Sequence, residues 1–373
     1  MRTTDTLGLY LHIPFCRKKC SYCDFLSFAG CSASLTDEYV DALCREIHGY
    51  KSENLTLSTV FFGGGTPSLL SLFQFEKILG AIRESFALMP NAEITTEANP
   101  GTLDRDKLGG LYSLGINRLS IGLQSIHKNE LKILGRIHSY EDFLSSYRAA
   151  REVGFRNINV DLMYGIPEQT EESFAKTLDE VISLSPEHIS VYGLMLEEGT
   201  PLYESRESLA LPTEDAECDM YYSACRRLAE AGYRHYEISN YSKEGFESRH
   251  NLIYWHTDSY IGVGAAAHSY FRGKRFCNTE QLSAYISNPI GKDKCEQIDA
   301  GGAEYEYAML ALRLSEGISL SEYERRFSRS FLSGREEKLA ELSALGYLSL
   351  THDRVFLTDK GMYVSNYILT ELL

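Results

Sequence analysis

The chain has 373 residues, of which 43% are hydrophobic and 24% charged, which predicts a globular protein with two or three domains or one large barrel with an appendage. Its formal net charge of −15 argues against a nucleic-acid partner, because phosphate affinity comes from lysine and arginine. No stretch reaches the ~18 apolar residues of a transmembrane helix, and Met1–Asp5 does not begin a secretion signal. We therefore expect a cytoplasmic protein, and peripheral contact with a membrane stays open.

Strand-like and helix-like segments alternate through residues 1–235, which we predict to form one domain. The predicted strands are short and rich in β-branched and aromatic residues: Leu7–Ile13, Leu57–Phe62, Ala92–Glu97, Arg118–Gly122, Asn157–Leu162 and Ile189–Leu194. Amphipathic helices are predicted between them at Asp37–Gly49, Phe73–Phe86, Arg105–Ser113, Tyr140–Val153 and Thr170–Leu184. A further helix begins after the N-cap candidate Thr213 and ends before Gly232. This alternation predicts an α/β fold in which a parallel sheet curls into all or part of a barrel.

The pattern changes after residue 235. Residues 236–300 are predicted as a connecting segment, whose first part is rich in Tyr, His, Ser and Gly. Residues 301–373 are predicted as a small, mainly α-helical module with short strands at Tyr347–Leu350 and Val355–Leu357 and a last helix from Asp359. Helices followed by a small hairpin resemble a winged-helix arrangement. Because the chain is acidic, we expect this module to serve packing or partner docking.

Three of the nine cysteines follow the first strand at the spacing Cys16-x3-Cys20-x2-Cys23. Three thiolates on one loop can bind three corners of an iron–sulfur cube and leave the fourth iron open to another ligand. A zinc site is the alternative, with Cys31 as its fourth ligand. The other cysteines are scattered, and most of them are expected to be buried as small apolar residues.

Polar or glycine-rich segments follow several predicted strands. Three consecutive glycines in Gly63–Pro67 let the backbone approach a ligand and offer N–H groups, with a plain tight turn as the alternative. Glu97, Gln124, Arg136 and Asp161 lie at or just past strand ends, which form the active face of a parallel barrel. Each acid alone could be a helix cap. Together these residues suit a polar nucleoside with a zwitterionic tail, whose carboxylate would face Arg136.

Four motifs together resemble the radical S-adenosylmethionine (SAM) family of oxygen-independent coproporphyrinogen III oxidases: Tyr10–Cys16, Gly63–Pro67, Ser120–Gln124 and Asp161–Pro167. The resemblance covers nearly the whole chain and implies a partial (βα)6 barrel. It also implies a [4Fe–4S] cluster on Cys16, Cys20 and Cys23, whose open iron binds the amino and carboxylate groups of SAM. The SAM-binding residues that it implies are Tyr10, Tyr22, Gly64, Gly65, Thr66, Glu97, Gln124, Arg136 and Asp161.

Two departures separate the chain from the decarboxylating oxidases. Cys23 is followed by Asp24 and Phe25, whereas the oxidases have a further cysteine two residues after the third. Only nine residues precede Tyr10, where the oxidases carry a substantial segment. Both features resemble the sister branch, the HemW haem chaperones. That resemblance implies haem as cargo and haem-accepting proteins as partners, with membrane-bound respiratory proteins as candidates.

The segment His250–Trp255 resembles the H-N-x-x-Y-W motif of the haem-chaperone branch. Imidazole is a common axial ligand of haem iron, so His250 is the candidate haem ligand. The alternative is a hydrogen-bonded core histidine beside a hydrophobic anchor, Trp255. The sequence thus leaves open a haem chaperone with a SAM-bound cluster, radical decarboxylation of coproporphyrinogen III, and another radical SAM reaction.

Overall fold

The computed structural model describes residues 6–373, so the expectation about Met1–Asp5 lies outside the described residues. Six parallel strands form the centre of one sheet: β1 Thr6–Ile13, β2 Thr56–Gly64, β3 Ala87–Ala98, β4 Arg118–Gln124, β5 Ile158–Tyr164 and β6 His188–Gly193. They lie side by side in chain order. The α/β prediction and its six strands are confirmed.

The third strand begins five residues before its predicted start, at Ala87 instead of Ala92. Ala87 and Leu88 pair with the beginning of β2, and the register then shifts before Glu93. Pro90 lies in this irregularity, where the missing N–H of proline removes no regular ladder bond. A proline inside a strand weakens the local strand pattern, which explains the late predicted start.

Residues after 233 extend this sheet at both edges. The added strands are β7 Arg234–Glu237, β8 Asn240–Ser242, β9 Tyr260–Val263, β10 His268–Phe271, β11 Lys274–Cys277 and β12 Lys294–Gln297. The twelve strands follow the order β12-β11-β10-β9-β1-β2-β3-β4-β5-β6-β8-β7. Only β9 joins in parallel, beside β1, and the other additions are antiparallel. The described sheet is therefore mixed and does not close, in agreement with the partial barrel.

Amphipathic helices contribute their buried faces to the core around the parallel strands. The longer ones are Ala33–His48, Leu72–Ser85, Arg105–Ser113, Tyr140–Val153, Glu171–Leu184 and Glu214–Glu230. Shorter ones are Lys128–Ile133, Pro201–Glu204, Arg249–Trp255 and Leu282–Ser287, with 3-10 turns at Lys51–Glu53, Pro67–Leu69 and Arg206–Ser208. Thr213 caps its helix by accepting a hydrogen bond from the Ala216 N–H, as predicted.

The C-terminal module has a second core, which includes Tyr307, Tyr323 and Phe331. Its helices are Ala300–Ala311, Leu320–Phe327, Glu336–Ala344, Asp359–Tyr363 and Ser365–Leu372. Its sheet has the order β13-β15-β14, formed by β13 Ile318–Ser319, β14 Leu348–Leu350 and β15 Arg354–Leu357. The predicted hairpin thus gains a third strand, and the arrangement resembles a winged helix. The division at 235 and 300 stays a prediction. No helix within residues 6–373 has the length and apolar character needed to cross a membrane.

Glu46 connects the first long helix to the segment after β9. Its carboxylate is 2% exposed and accepts hydrogen bonds from Tyr285 Oη at 2.7 Å, Asn278 Nδ2 at 2.8 Å and Gly264 N at 2.9 Å. Lys292 Nζ lies 2.5 Å from it and supplies the opposite charge. A buried carboxylate with this many donors is a structural anchor, because its loss leaves the donors without a partner.

We predict that Glu46→Gln lowers the free energy of unfolding by about 3 kcal/mol, because the buried pair with Lys292 is broken. Chemical denaturation measures this change. Glu53→Gln is the control, since the Glu53–Arg272 pair is exposed on both sides and we expect a loss below about 1 kcal/mol. Equal losses in the two variants would contradict the anchoring role.

Candidate functional site

A cavity of about 540 Å³ lies inside the curved sheet, towards the carboxyl ends of β1–β6. Every site residue predicted from the sequence lines it: Tyr10, Cys16, Cys20, Tyr22, Cys23, Gly64, Gly65, Thr66, Glu97, Gln124, Arg136, Asp161 and His250. The parallel order of the strands explains this convergence, since their carboxyl ends meet at one edge. The ligands of these residues stay predictions.

His12 fixes the loop that carries the three cysteines. Its Nε2 donates to the Leu26 carbonyl at 2.9 Å, and its Nδ1 accepts from the Tyr10 hydroxyl at 3.0 Å. These roles follow because a carbonyl can only accept a hydrogen bond. Burial lowers the pKa of His12, which keeps its ring neutral. This role of His12 was not predicted from the sequence, although His12 lies between Tyr10 and Cys16.

The glycine turn after β2 is packed tightly against β1 and the start of the cysteine loop. Gly64 has φ +110°, and an added Cβ would lie 2.7 Å from the His12 ring; at Gly65 it would lie 2.7 Å from the Phe15 carbonyl oxygen. We expected the backbone N–H groups of this turn to be available to a ligand, but three of them are hydrogen-bonded within the protein. Gly65 N donates to the Ile13 carbonyl, Thr66 N to the Phe15 carbonyl, and Gly64 N to Glu97 Oε2 at 3.1 Å.

A chain of hydrogen bonds connects Arg136 to the first cysteine. Arg136 donates to Asn99 Oδ1 at 2.7 Å, and Asn99 Nδ2 donates to Thr66 Oγ1 at 2.9 Å. Thr66 Oγ1 in turn donates to Cys16 Sγ at 3.6 Å. Asn99 thus links the cysteine loop to Arg136, a role that was not predicted from the sequence. Its position two residues after Glu97, at a strand end, was the available signal.

Burial changes the protonation of the acids in the cavity. Burial, followed by repulsion from Asp161, raises the pKa of Glu97 to about 8. Burial also raises the pKa of Asp161, although Asn159 Nδ2 donates to it at 2.7 Å. Burial opposes the charge on Arg136, but the surrounding groups, Tyr22 foremost, raise its pKa. The site therefore keeps a positive charge on Arg136 beside two acids whose pKa values are raised by burial.

Polar atoms without partners point to a ligand in this cavity. Gln124 Oε1 and Arg136 Nε are buried and have no hydrogen-bond partner among residues 6–373. Gln124 also has φ +71°, a left-handed conformation that a non-glycine residue rarely adopts. Buried polar groups in native proteins are nearly always paired. These residues therefore fit a bound polar molecule such as SAM.

The loop between Cys16 and Cys23 presents its three cysteines to the cavity. All three are free and partly exposed to the cavity. Of the remaining cysteines only Cys44 and Cys277 are buried, so the expectation that most of them are buried is wrong.

His250 is 1% exposed at the wall of the cavity, and both of its ring nitrogens are hydrogen-bonded. Nδ1 lies 2.7 Å from Thr59 Oγ1, and Nε2 lies 2.8 Å from the Tyr254 hydroxyl. Burial and the positive charge of Arg118 lower its pKa to about 3, so the ring is neutral. This is the environment of a bonded core histidine. Binding to haem iron would require one of the two bonds to break.

The inward side chains below the strand ends were also missed. They alternate along β4, β5 and β6, and they are Arg118, Ser120, Asn159, His188, Ser190 and Tyr192. The two-residue period of a strand was the signal, because it directs every second residue of these strands into the cavity.

Known proteins resemble this chain in sequence and in structure. Residues 10–181 match the model of the Radical SAM superfamily, and residues 305–364 match the HemN C-terminal domain. A relative from Lactococcus lactis named "Heme chaperone HemW" is 36% identical and covers 98% of this chain and 96% of its own length. The relative of the same name from Escherichia coli K12 is 36% identical, with 97% of each chain covered.

The chain belongs to the HemW family. This confirms the branch predicted from Asp24 and Phe25 after the third cysteine. A solved structure of coproporphyrinogen III oxidase (HemN) from Escherichia coli matches 99% of this chain and 90% of its own, with a TM-score of 0.86 and 24% identity. That likeness confirms the radical SAM fold of this HemW-family chain, and it carries no argument about activity.

We predict that Cys16→Ser, Cys20→Ser or Cys23→Ser each abolishes the visible absorption of a reconstituted iron–sulfur cluster, because each removes the only protein ligand of one iron. Iron and sulfide content measured after anaerobic reconstitution checks this result. Cys31→Ser is the matched control and keeps the full iron content. Loss of metal in Cys31→Ser, with zinc in the wild type, would instead support the zinc alternative.

Proposed function

We propose that this HemW-family chain binds haem and hands it to acceptor proteins, with a SAM-bound [4Fe–4S] cluster at the mouth of the same cavity. The proposal is carried by one observation: a single cavity brings together the three cysteines, the SAM-binding candidates and an aromatic wall beside His250. Support also comes from relatives named heme chaperones that are 36% identical over 97–98% of this chain.

The mouth of the cavity would hold the cluster and SAM. Cys16, Cys20 and Cys23 would bind three irons, and the cluster would supply an electron to the SAM sulfonium. Arg136, fixed by Asn99, would pair with the SAM carboxylate. Glu97 would accept the ammonium group, Asp161 would take the ribose hydroxyls, and the turn at Gly63–Pro67 would hold the amino end of SAM. The positive charge of Arg136 and the carboxyl of Glu97 thus match the carboxylate and the ammonium group of SAM.

The deeper wall suits a flat aromatic ligand. The Tyr10 and Phe61 rings lie 6.2 Å apart with an interplanar angle of 25°, and Phe61 and His250 lie 5.1 Å apart at 22°. Such near-parallel rings offer an apolar face to a porphyrin. His250 is neutral, which is the form that binds iron. Loss of the Tyr254 hydroxyl bond would free its Nε2 for that role.

Radical decarboxylation of coproporphyrinogen III is the second candidate. It is favoured by the retained residues of the SAM site. It is disfavoured by Asp24 and Phe25 where the oxidases have a fourth cysteine. The two functions differ in outcome, since an oxidase releases carbon dioxide whereas a chaperone returns haem unchanged.

We predict that the wild type binds haem and that His250→Gln changes the haem absorption spectrum and weakens binding, because an axial nitrogen is lost. Tyr254→Phe is the matched variant: it releases Nε2 and keeps the ring, so haem affinity is retained or raised. Titration of the reconstituted protein with haem, followed by absorbance, measures both effects.

The same titration contradicts the proposal if the wild type binds no haem. An unchanged spectrum in His250→Gln would remove His250 as the ligand and leave haem binding intact. Carbon dioxide released from coproporphyrinogen III in an anaerobic assay with SAM and reductant would establish the oxidase in place of the chaperone.

SAM affinity should depend on pH through Glu97. Below its pKa of about 8 the carboxyl is mostly protonated, so binding a cation must first release that proton. We predict that affinity rises towards pH 8, by at most tenfold per unit, and levels off above it. Calorimetric titration of the reconstituted protein at several pH values measures the slope. Glu97→Gln should lose the rise, and the surface variant Glu53→Gln should keep it; a flat wild-type profile would refute the role.

A further inference from the structure

Arg118 is a buried cation whose side chain has no hydrogen-bond partner in the described part of the chain. It begins β4, is 2% exposed and lines the cavity. Its Nε is fully buried without a hydrogen bond, and no side-chain hydrogen bond or ion pair joins Arg118 to another of the residues 6–373. A guanidinium removed from water is unfavourable unless a counter-charge and acceptors replace the lost hydration. The guanidinium of Arg118 therefore lacks an acceptor in direct contact.

The groups around Arg118 do not supply that acceptor. His188 and His250 have lowered pKa values, through burial first and Arg118 second, so both are neutral. Glu97 and Asp161 feel the charge of Arg118, but their carboxyls bond to Gly64 N and to Asn159, respectively. Because the pKa of Glu97 is about 8, this acid is mostly uncharged at neutral pH.

Arg118 and Arg136 approach the cavity from different elements. Arg118 opens β4, whereas Arg136 lies beside Tyr22 and Asn99 and reaches Gly122, four residues further along β4. Both arginines act on the Asp161 carboxyl. Arg136 is already bonded to Asn99, whereas Arg118 has no such bond, so a second carboxylate could pair with Arg118.

We propose that Arg118 binds a carboxylate of a second ligand in the cavity. Under the proposed function, on which this inference rests, that carboxylate is a propionate of haem. The guanidinium can donate two parallel hydrogen bonds to a carboxylate. Asn240 Oδ1, another buried cavity atom without a partner, marks the same region as one built for a polar group. The aromatic wall would then face the ring while Arg118 fixes the acidic edge.

The test compares haem with haem dimethyl ester, which keeps the iron and the ring but lacks the negative charges. We expect the full-length, cluster-reconstituted wild type to bind haem at least about tenfold more tightly than the ester. Arg118→Gln should bind both with equal affinity, and Arg118→Lys should keep part of the preference. Equal affinities in the wild type, or an undiminished preference in Arg118→Gln, would overturn the proposal.

Further measurements separate the ways in which it can fail. A wild type that binds neither compound refutes the proposed function, whereas a wild type that binds both equally refutes only the role of Arg118. A larger loss of SAM affinity than of haem affinity in Arg118→Gln would assign Arg118 to SAM. Thermal unfolding without ligand gives an independent outcome: removing an unpaired buried charge should raise the melting temperature, and a lower one would show that the charge is already compensated.

Discussion

The close approach of the Gly63–Gly65 turn to the first strand determines the geometry of the whole site. A side chain at Gly64 would meet the His12 ring at 2.7 Å, so the turn can lie there only without a Cβ. The same approach brings the Thr66 hydroxyl to 3.6 Å from Cys16. His12 holds the far end of the cysteine loop at Leu26. This one steric contact therefore fixes both the glycine turn and the position of the cysteine loop.

Desolvation then decides which charges the cavity carries. It makes the acids harder to ionise and the histidines harder to protonate: the pKa of Glu97 rises to about 8 and that of His250 falls to about 3. Arginine stays charged under the same burial. Arg118 and Arg136 therefore lie among acids that are hard to ionise, although the whole chain carries a net charge of −15. Under the proposed function, this arrangement would favour ligands with carboxylates.

The sequence predicted the parallel core well because each of its strands is a local apolar run followed by a recognisable helix. It also predicted the strand-end residues, since parallel topology alone forces them together. It did not predict that β9 pairs with β1, because parallel pairing between distant segments leaves no local pattern. Asn99 and Arg118 were missed for a related reason: their importance lies in partners, present or absent, that only the folded chain reveals.

The segment containing His250 is fixed by hydrogen bonds to both its backbone and its ring. Buried Glu93 accepts the backbone N–H of Arg249 at 3.2 Å and that of His250 at 3.1 Å, which fixes the start of this short helix. The ring of His250 then bonds to hydroxyls on both sides. Under the proposed function, iron would replace the Tyr254 hydroxyl at Nε2, and that bond would re-form when haem leaves. Such an exchange would suit reversible binding, because the protein regains a hydrogen bond for the metal bond that it gives up.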